Sequence, residues 1–183
     1  MRRPITLIKP DRQQGYALFI VLMMMIVIAL LVVTATQSYN TEQRISTNDA
    51  DRKLATTLAE AALREGENQI FDIEGKKTNF TKECKDGFCA TPNVKSDSEA
   101  IEETATEDAW KRKCDKNQNL CIDTNGKEYS LGKNSGIAKN PRYMIEYLGK
   151  TTEGRITYRV TAKAWGKNAN TQVVLQSYVA SEQ

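Results

Sequence analysis

The sequence predicts an α+β fold: a long N-terminal helix packed on a C-terminal antiparallel β-meander, with a loop-rich, disulfide-bearing middle. Three observations predict it. An uncharged apolar run, Tyr16 to Val33, leads into a stretch with no proline between Pro10 and Pro92 and no glycine between Gly15 and Gly66. The C-terminal segment alternates apolar and polar residues with a period of two. All four cysteines fall between these regions.

The helix has two halves. Residues 16–40 are apolar or uncharged, and about 18 such residues nearly cross a hydrocarbon core roughly 30 Å thick. The polar but uncharged Thr34 to Thr41 can lengthen that segment. Residues 41–70 are amphipathic instead. Ile45, Leu54, Leu58 and Ala62 recur near helical spacing, and Ala55, Ala59 and Leu63 widen the stripe. One helix from about Tyr16 to Ile70 is therefore expected. Its weak point is Ser46 to Asp51, polar and rich in Asn and Asp, where a bend or fraying is expected.

In front of the helix stands the leader, residues 1–15, MRRPITLIKPDRQQG. Arg2, Arg3, Lys9 and Arg12 face one acid, Asp11. This bias keeps the leader in the cytoplasm and sends everything after Val33 outward. Three fates are open: a secretory signal cut after Val33-Thr34-Ala35, an uncleaved signal anchor, or a leader cut before the apolar run. The third is favoured by Gly15, the last residue before the run. A small, flexible residue there lets the backbone enter a peptidase active site.

The middle, residues 71–140, is rich in Lys, Asp, Asn and Thr, with scattered anchors such as Phe80, Phe88, Trp110 and Ile122. Long surface loops tied by cysteines are expected, with one short helix in Glu99 to Lys113. Cys84, Cys89, Cys114 and Cys121 are even in number and follow an export-type segment, which predicts disulfides. A tetrathiolate zinc site competes, but neither pair has the two-residue knuckle spacing. Of the three connectivities, the two local loops, Cys84–Cys89 and Cys114–Cys121, are preferred.

Residues 141–183 read as strands. Tyr143, Ile145 and Tyr147 alternate with Met144, Glu146 and Leu148. Ile156, Tyr158, Val160, Ala162 and Ala164 share one face, with Thr157, Arg159, Thr161 and Lys163 on the other. Val173, Leu175 and Val179 oppose Val174, Gln176 and Tyr178. Turns fall at Gly149 to Gly154 and Gly166 to Asn170. Three consecutive strands make a meander with one buried face, and the stripe of the helix is its cover.

Composition excludes several function classes. The 26 basic and 23 acidic residues make no strong field. The one dense run, Lys111-Arg112-Lys113, is flanked by Glu107, Asp108 and Asp115 and reads as a solvated face, so no nucleic-acid partner is expected. The sequence contains no histidine, the commonest general base and zinc ligand. No phosphate-binding glycine loop and no Ser or Cys elbow occurs. Hence no catalytic residue, cofactor or metal is assigned, and no enzyme is expected.

Two segments carry a resemblance. The first is QQGYALFIVLMMMIVIALLVVTATQSYNTEQRISTNDADRKLATTLAEAALREGE. The second is PRYMIEYLG followed by YRVTAKAWGKNANTQVVLQSYV. Together they cover about half the chain and resemble type IV pilus minor pilins of the PilX/PilK type. The resemblance implies a type IV pilin-like fold and several site assignments. Prepilin peptidase would cut between Gly15 and Tyr16 and N-methylate Tyr16. The helix from Tyr16 through Ile20 and Val33 to Asn40 would serve as membrane span and assembly stalk. Implied partners are other minor pilins, the major pilin, prepilin peptidase, the inner-membrane assembly machinery and membrane lipid. The implied location is the inner membrane, with the N-terminus cytoplasmic and the remainder periplasmic, and then the pilus. The implied role is priming of assembly in a tip complex.

One position departs from the family. Most pilins carry a glutamate at the fifth mature residue, where this sequence has Ile20. That carboxylate pairs with a neighbour's terminal ammonium, and unpaired it is costly in an apolar core. A subunit that begins a filament can dispense with it, although Ile20 also fits as one more lipid-facing aliphatic. Two rival readings remain: the tip pseudopilin of type II secretion, which usually has a larger head, and a signal-anchored periplasmic binding module.

Overall fold

The computed structural model describes residues 14–73, 76, 78–92, 94, 105–116, 118–132 and 135–181. The leader residues Arg2, Arg3, Lys9 and Arg12 lie outside this set. Helix α1 spans Gln14–Ile73. A 3-10 turn follows at Lys85–Gly87, then β1 (Phe88–Cys89), a short helix α2 (Cys121–Thr124), β2 (Lys127–Glu128), β3 (Arg142–Lys150), β4 (Ile156–Trp165) and β5 (Gln172–Ser181). The chain divides into two compact units, one ending at Thr47 and the other beginning at Asn48.

α1 runs without interruption through Ser46 to Asp51, contrary to the expected soft spot. The polar side chains there do not compete with the helix. Thr47 Oγ1 donates to the Gln43 carbonyl at 2.8 Å, and Asp49 pairs with Lys53 at 2.8 Å. Asp51 is used outside the helix altogether, as shown below.

The sheet is a meander with additions at one edge. β3 pairs antiparallel with β4, and β4 with β5. β2 pairs antiparallel with Arg142 and Tyr143, while β1 pairs parallel with Ile145 and Glu146. These two dipeptides share the outer edge of β3. The β3–β4 register shifts between Tyr147 and Gly149. Gly149 has φ 117°, a left-handed value that glycine adopts at little cost, so the bulge falls there.

The expected single buried face is corrected. β3 and β4 are buried on both sides. One face, with Tyr143, Ile145, Tyr158, Val160 and Ala162, joins Ala62 and Ile70 of α1 in the main core. The other face is covered by the middle region. Met144 packs with Cys84, Cys89, Ala109, Cys121 and Ile122 in a second core. So the middle is less a set of surface loops than a second layer on the sheet. The described part of the expected Glu99 to Lys113 helix, residues 105–113, is turn and irregular structure, and the short helix lies later, at α2. In residues 105–113 the Lys111 and Arg112 N–H groups close only local turns onto the Asp108 and Ala109 carbonyls, while the Glu107 carbonyl accepts from the Arg112 side chain and the Ala109 N–H donates to Glu146.

The seam on α1 is also narrower than the expected stripe. Its buried line is Ala55, Ala59, Ala62, Gly66 and Ile70, while Leu54 and Leu58 are half-buried and Ile45 is exposed. Small side chains let the helix axis approach the sheet closely. A Cβ on Gly66 would stand 2.5 Å from Val160 Cγ1.

Candidate functional site: apolar helix, hairpin clamp and disulfide layer

Every side chain described from Tyr16 to Ala50 is exposed. From Tyr16 to Thr41 this surface carries no charge. The helix satisfies its own backbone, and by length and composition it is sufficient to cross a membrane. Its threonine hydroxyls are satisfied too. Thr34 and Thr36 each donate to a carbonyl three residues back at 2.9 Å, and Thr41 to one four back at 3.1 Å. These threonine hydroxyls can therefore enter an apolar medium without becoming orphan donors. At roughly 25 cal/mol per Å² of apolar surface, water is a poor solvent for this unit, and lipid or other helices are a good one.

Gly15, Tyr16, Ile20 and Val33 all lie on α1. A Cβ on Gly15 would meet nothing within 4 Å. Packing within this chain therefore does not ask for glycine there, in contrast to Gly66. Glycine inside a helix costs about 1 kcal/mol relative to alanine, so its presence at 15 needs a reason outside the fold.

Asp51 ties α1 to the β4–β5 turn. Its carboxylate accepts from the backbone N–H of Lys167 at 2.6 Å and of Asn168 at 3.3 Å. Gly166 lies beneath it, where any Cβ would collide with the carboxylate. A hydrogen bond from the Thr171 side chain chiefly holds the Asp51 carboxyl below its ordinary value; burial acts against it, while the Lys167 and Asn168 amides and the Lys167 charge add to it. The folded value is depressed, so the clamp's stabilisation is present at neutral pH. It is lost as pH falls from about 3.9 through the folded value. The Lys167 and Asn168 amide resonances should titrate with a midpoint below that of an ordinary aspartate. Asp51→Asn should abolish this titration, and a midpoint at the ordinary value would refute the clamp.

The disulfides are Cys84–Cys89 and Cys114–Cys121, and no free thiol remains among the described residues. They lie side by side. The Sγ atoms of Cys84, Cys114 and Cys121 are all within 4.8 Å of one another. Arg112 reaches between the loops, with Nη2 3.2 Å from Cys84 Sγ and Nη1 donating to the Ala90 and Glu107 carbonyls. The expected solvated Lys111-Arg112-Lys113 face is thus only half right. Lys111 and Lys113 are exposed, but Arg112 is buried. Burial, the largest influence on its guanidinium, lowers its pKa, and the nearby carboxylates of Glu146 and Glu83 oppose that.

The same face holds charges that strand alternation had assigned to solvent. Glu146 is fully buried. It accepts from Arg159 Nε at 2.7 Å and Nη2 at 2.8 Å, and from the Ala109 N–H at 2.7 Å. Arg159 also pairs with Asp108 at 2.9 Å. Burial would lower the Arg159 pKa, but its hydrogen bonds to Glu146 and Asp108 raise it overall. Lys163 pairs with Asp123 at 2.6 Å. The register shift between Tyr147 and Gly149 is what sets Glu146 opposite Arg159, since the register at the turn alone would place Val160 there.

No site for bond-making chemistry emerges among the described residues. What the arrangement offers is an apolar rod and a cross-braced globular unit. No curated protein and no solved structure matches the chain significantly. The family described as "Type IV pilus assembly protein PilX C-term" matches over residues 34–181, from just after the apolar run to the end of β5. That span is most of the chain, and it contains the amphipathic half of α1, both disulfides and the whole sheet. The chain belongs to the PilX family of type IV pilus assembly proteins.

Proposed function

We propose that this protein is a minor pilin, anchored in the inner membrane by its N-terminal helix and then built into the pilus through the same helix. The observation that carries this reading is the uncharged, uncovered surface of α1 from Tyr16 to Thr41, which begins directly after a glycine that packing does not require. In this reading prepilin peptidase cuts between Gly15 and Tyr16 and methylates the new N-terminus. The globular unit lies on the periplasmic side and meets other pilins there. Ile20 fits a subunit that takes part in priming at the tip. No carboxylate at that position then waits for a partner ammonium in an apolar core.

The test is Gly15→Leu in the full chain. The expected result is a precursor that keeps all 15 leader residues, essentially no shortened form, and a loss of surface pili. N-terminal sequencing of the wild-type mature chain should give N-methylated Tyr16. A wild-type chain starting at Met1 would support a plain anchor, and one starting at Thr36 a soluble exported protein. Either start refutes the pilin reading, as does normal processing of Gly15→Leu.

A further inference from the structure

The two disulfides stand close enough to trade partners. The sulfur of Cys84, which belongs to one, lies within 4.8 Å of both sulfurs of the other, Cys114 and Cys121, while Cys89 is not part of this close group. The two loops also touch through the backbone. Cys114 Sγ is 3.5 Å from the carbonyl oxygen of Glu83, one residue before Cys84, and Asn125 Nδ2 donates to that carbonyl at 2.6 Å. A neutral disulfide has little use for a cation, yet Arg112 is buried here, with Nη2 3.2 Å from Cys84 Sγ. Its Nη1 serves two carbonyls, whereas its buried Nε has no hydrogen-bond partner among the described residues. A guanidinium in that place favours an anion on sulfur. It lowers the pKa of a neighbouring thiol and raises the share of thiolate, the form that attacks disulfides.

We propose that Cys84 is a nucleophilic thiol that exchanges with the Cys114–Cys121 bridge whenever its own bridge to Cys89 is open. The Cys84 thiolate attacks Cys121 Sγ. The Cys84–Cys121 bond forms, the Cys114–Cys121 bond breaks, and the electron pair leaves on Cys114. One thiolate is consumed and one is released, so the exchange needs neither oxidant nor reductant. Cys114 is the better leaving sulfur because it is half-buried, whereas Cys121 is fully buried, and apolar surroundings disfavour a thiolate. The exchange carries the free thiol from the interior to the surface. Cys84 and Cys89, both fully buried, thereby gain a covalent route to thiols and disulfides in solvent through Cys114. None of this depends on the assembly role proposed above.

Cys89→Ser in the full chain, held in detergent micelles, leaves Cys84 without its partner. Without reductant and under native conditions, the chain is treated with iodoacetamide, digested and mapped by mass spectrometry. The expected result is label on Cys114 together with a Cys84–Cys121 bridge. In Cys84→Ser the spare thiol is Cys89, and label on Cys114 should be roughly tenfold lower or less. Label on Cys84 with Cys114–Cys121 intact, or equal Cys114 labelling in the two variants, overturns the proposal. The wild type gives a check that needs no substituted chain to fold. Limiting phosphine reductant followed by the same labelling should give one-bridge chains joined Cys84–Cys121, with label on Cys89 and Cys114. One-bridge chains that hold only Cys84–Cys89 or Cys114–Cys121 overturn the proposal too. Arg112→Met in the Cys89→Ser chain should slow Cys114 labelling by roughly threefold or more, and Arg112→Lys, which keeps the charge, should not. Equal effects of these two substitutions overturn the role of the guanidinium charge.

Discussion

Glu146→Ala is expected to destabilise the globular unit by about 3–5 kcal/mol, the range for breaking a buried ion pair by removing one partner. Glu146 is fully buried and accepts three hydrogen bonds, two from Arg159 and one from the Ala109 amide. Without its carboxylate, Arg159 keeps Asp108 and the Tyr178 side chain, and the Ala109 N–H loses its acceptor. A surface pair would be worth under about 1 kcal/mol, so the size of the effect separates the two situations. The variant should unfold at clearly lower denaturant with an unchanged slope, measured on the full chain in detergent micelles. The double variant Glu146→Met/Arg159→Met should recover most of the loss, because apolar groups of similar volume require no partner. A single variant within about 0.5 kcal/mol of wild type would mean that the cluster is solvated.

The second large effect is expected at Gly66. In an open helix, glycine to alanine stabilises by about 1 kcal/mol. Here the new Cβ would stand 2.5 Å from Val160 Cγ1 and 3.0 Å from Tyr143 Cδ2, well inside ordinary carbon–carbon contact. The helix must lift, and the packing of Ala59 and Ala62 is lost with it. Overpacking of this kind costs about 1–3 kcal/mol, which outweighs the helical gain. Gly66→Ala should therefore destabilise slightly and Gly66→Leu by about 3 kcal/mol. The Tyr143 hydroxyl should also lose Gln69, its acceptor at 3.1 Å. Val160→Ala in the Gly66→Ala background removes the clashing methyl and should restore part of the stability. A stabilised Gly66→Ala would show that the helix does not approach the sheet this closely.

Much of this architecture is legible along the chain because it depends on local pattern. The apolar run, the long breaker-free helix, the three strands and their turns all follow from periodicities of 3.6 and two. The disulfides join cysteines only 5 and 7 residues apart, so short loops were the simplest pairing to expect. Periodicity named a stripe on α1 that holds Ala55, Ala59 and Ala62 of the buried seam but extends beyond it to the exposed Ile45 and misses Gly66. It weighs large apolar residues such as Ile45, Leu54 and Leu58, whereas close approach to the sheet puts the small Ala55, Ala59, Ala62 and Gly66 at its centre.

What the sequence by itself determined is a membrane-length helix, a C-terminal meander and a cysteine-tied middle, together with the absence of histidine-based chemistry. Only the tertiary structure decided that the middle covers the second face of the sheet. That covering turns Arg112, Glu146, Arg159 and Lys163 from apparent surface charges into buried ones: Glu146 pairs with Arg159, Lys163 with Asp123, and Arg112 donates to backbone carbonyls. The tertiary structure also brings Asp51 to a turn more than a hundred residues away. The physical reason is distance along the chain. A residue's local pattern sets which face it occupies, but its burial and its partners depend on what another segment lays over that face.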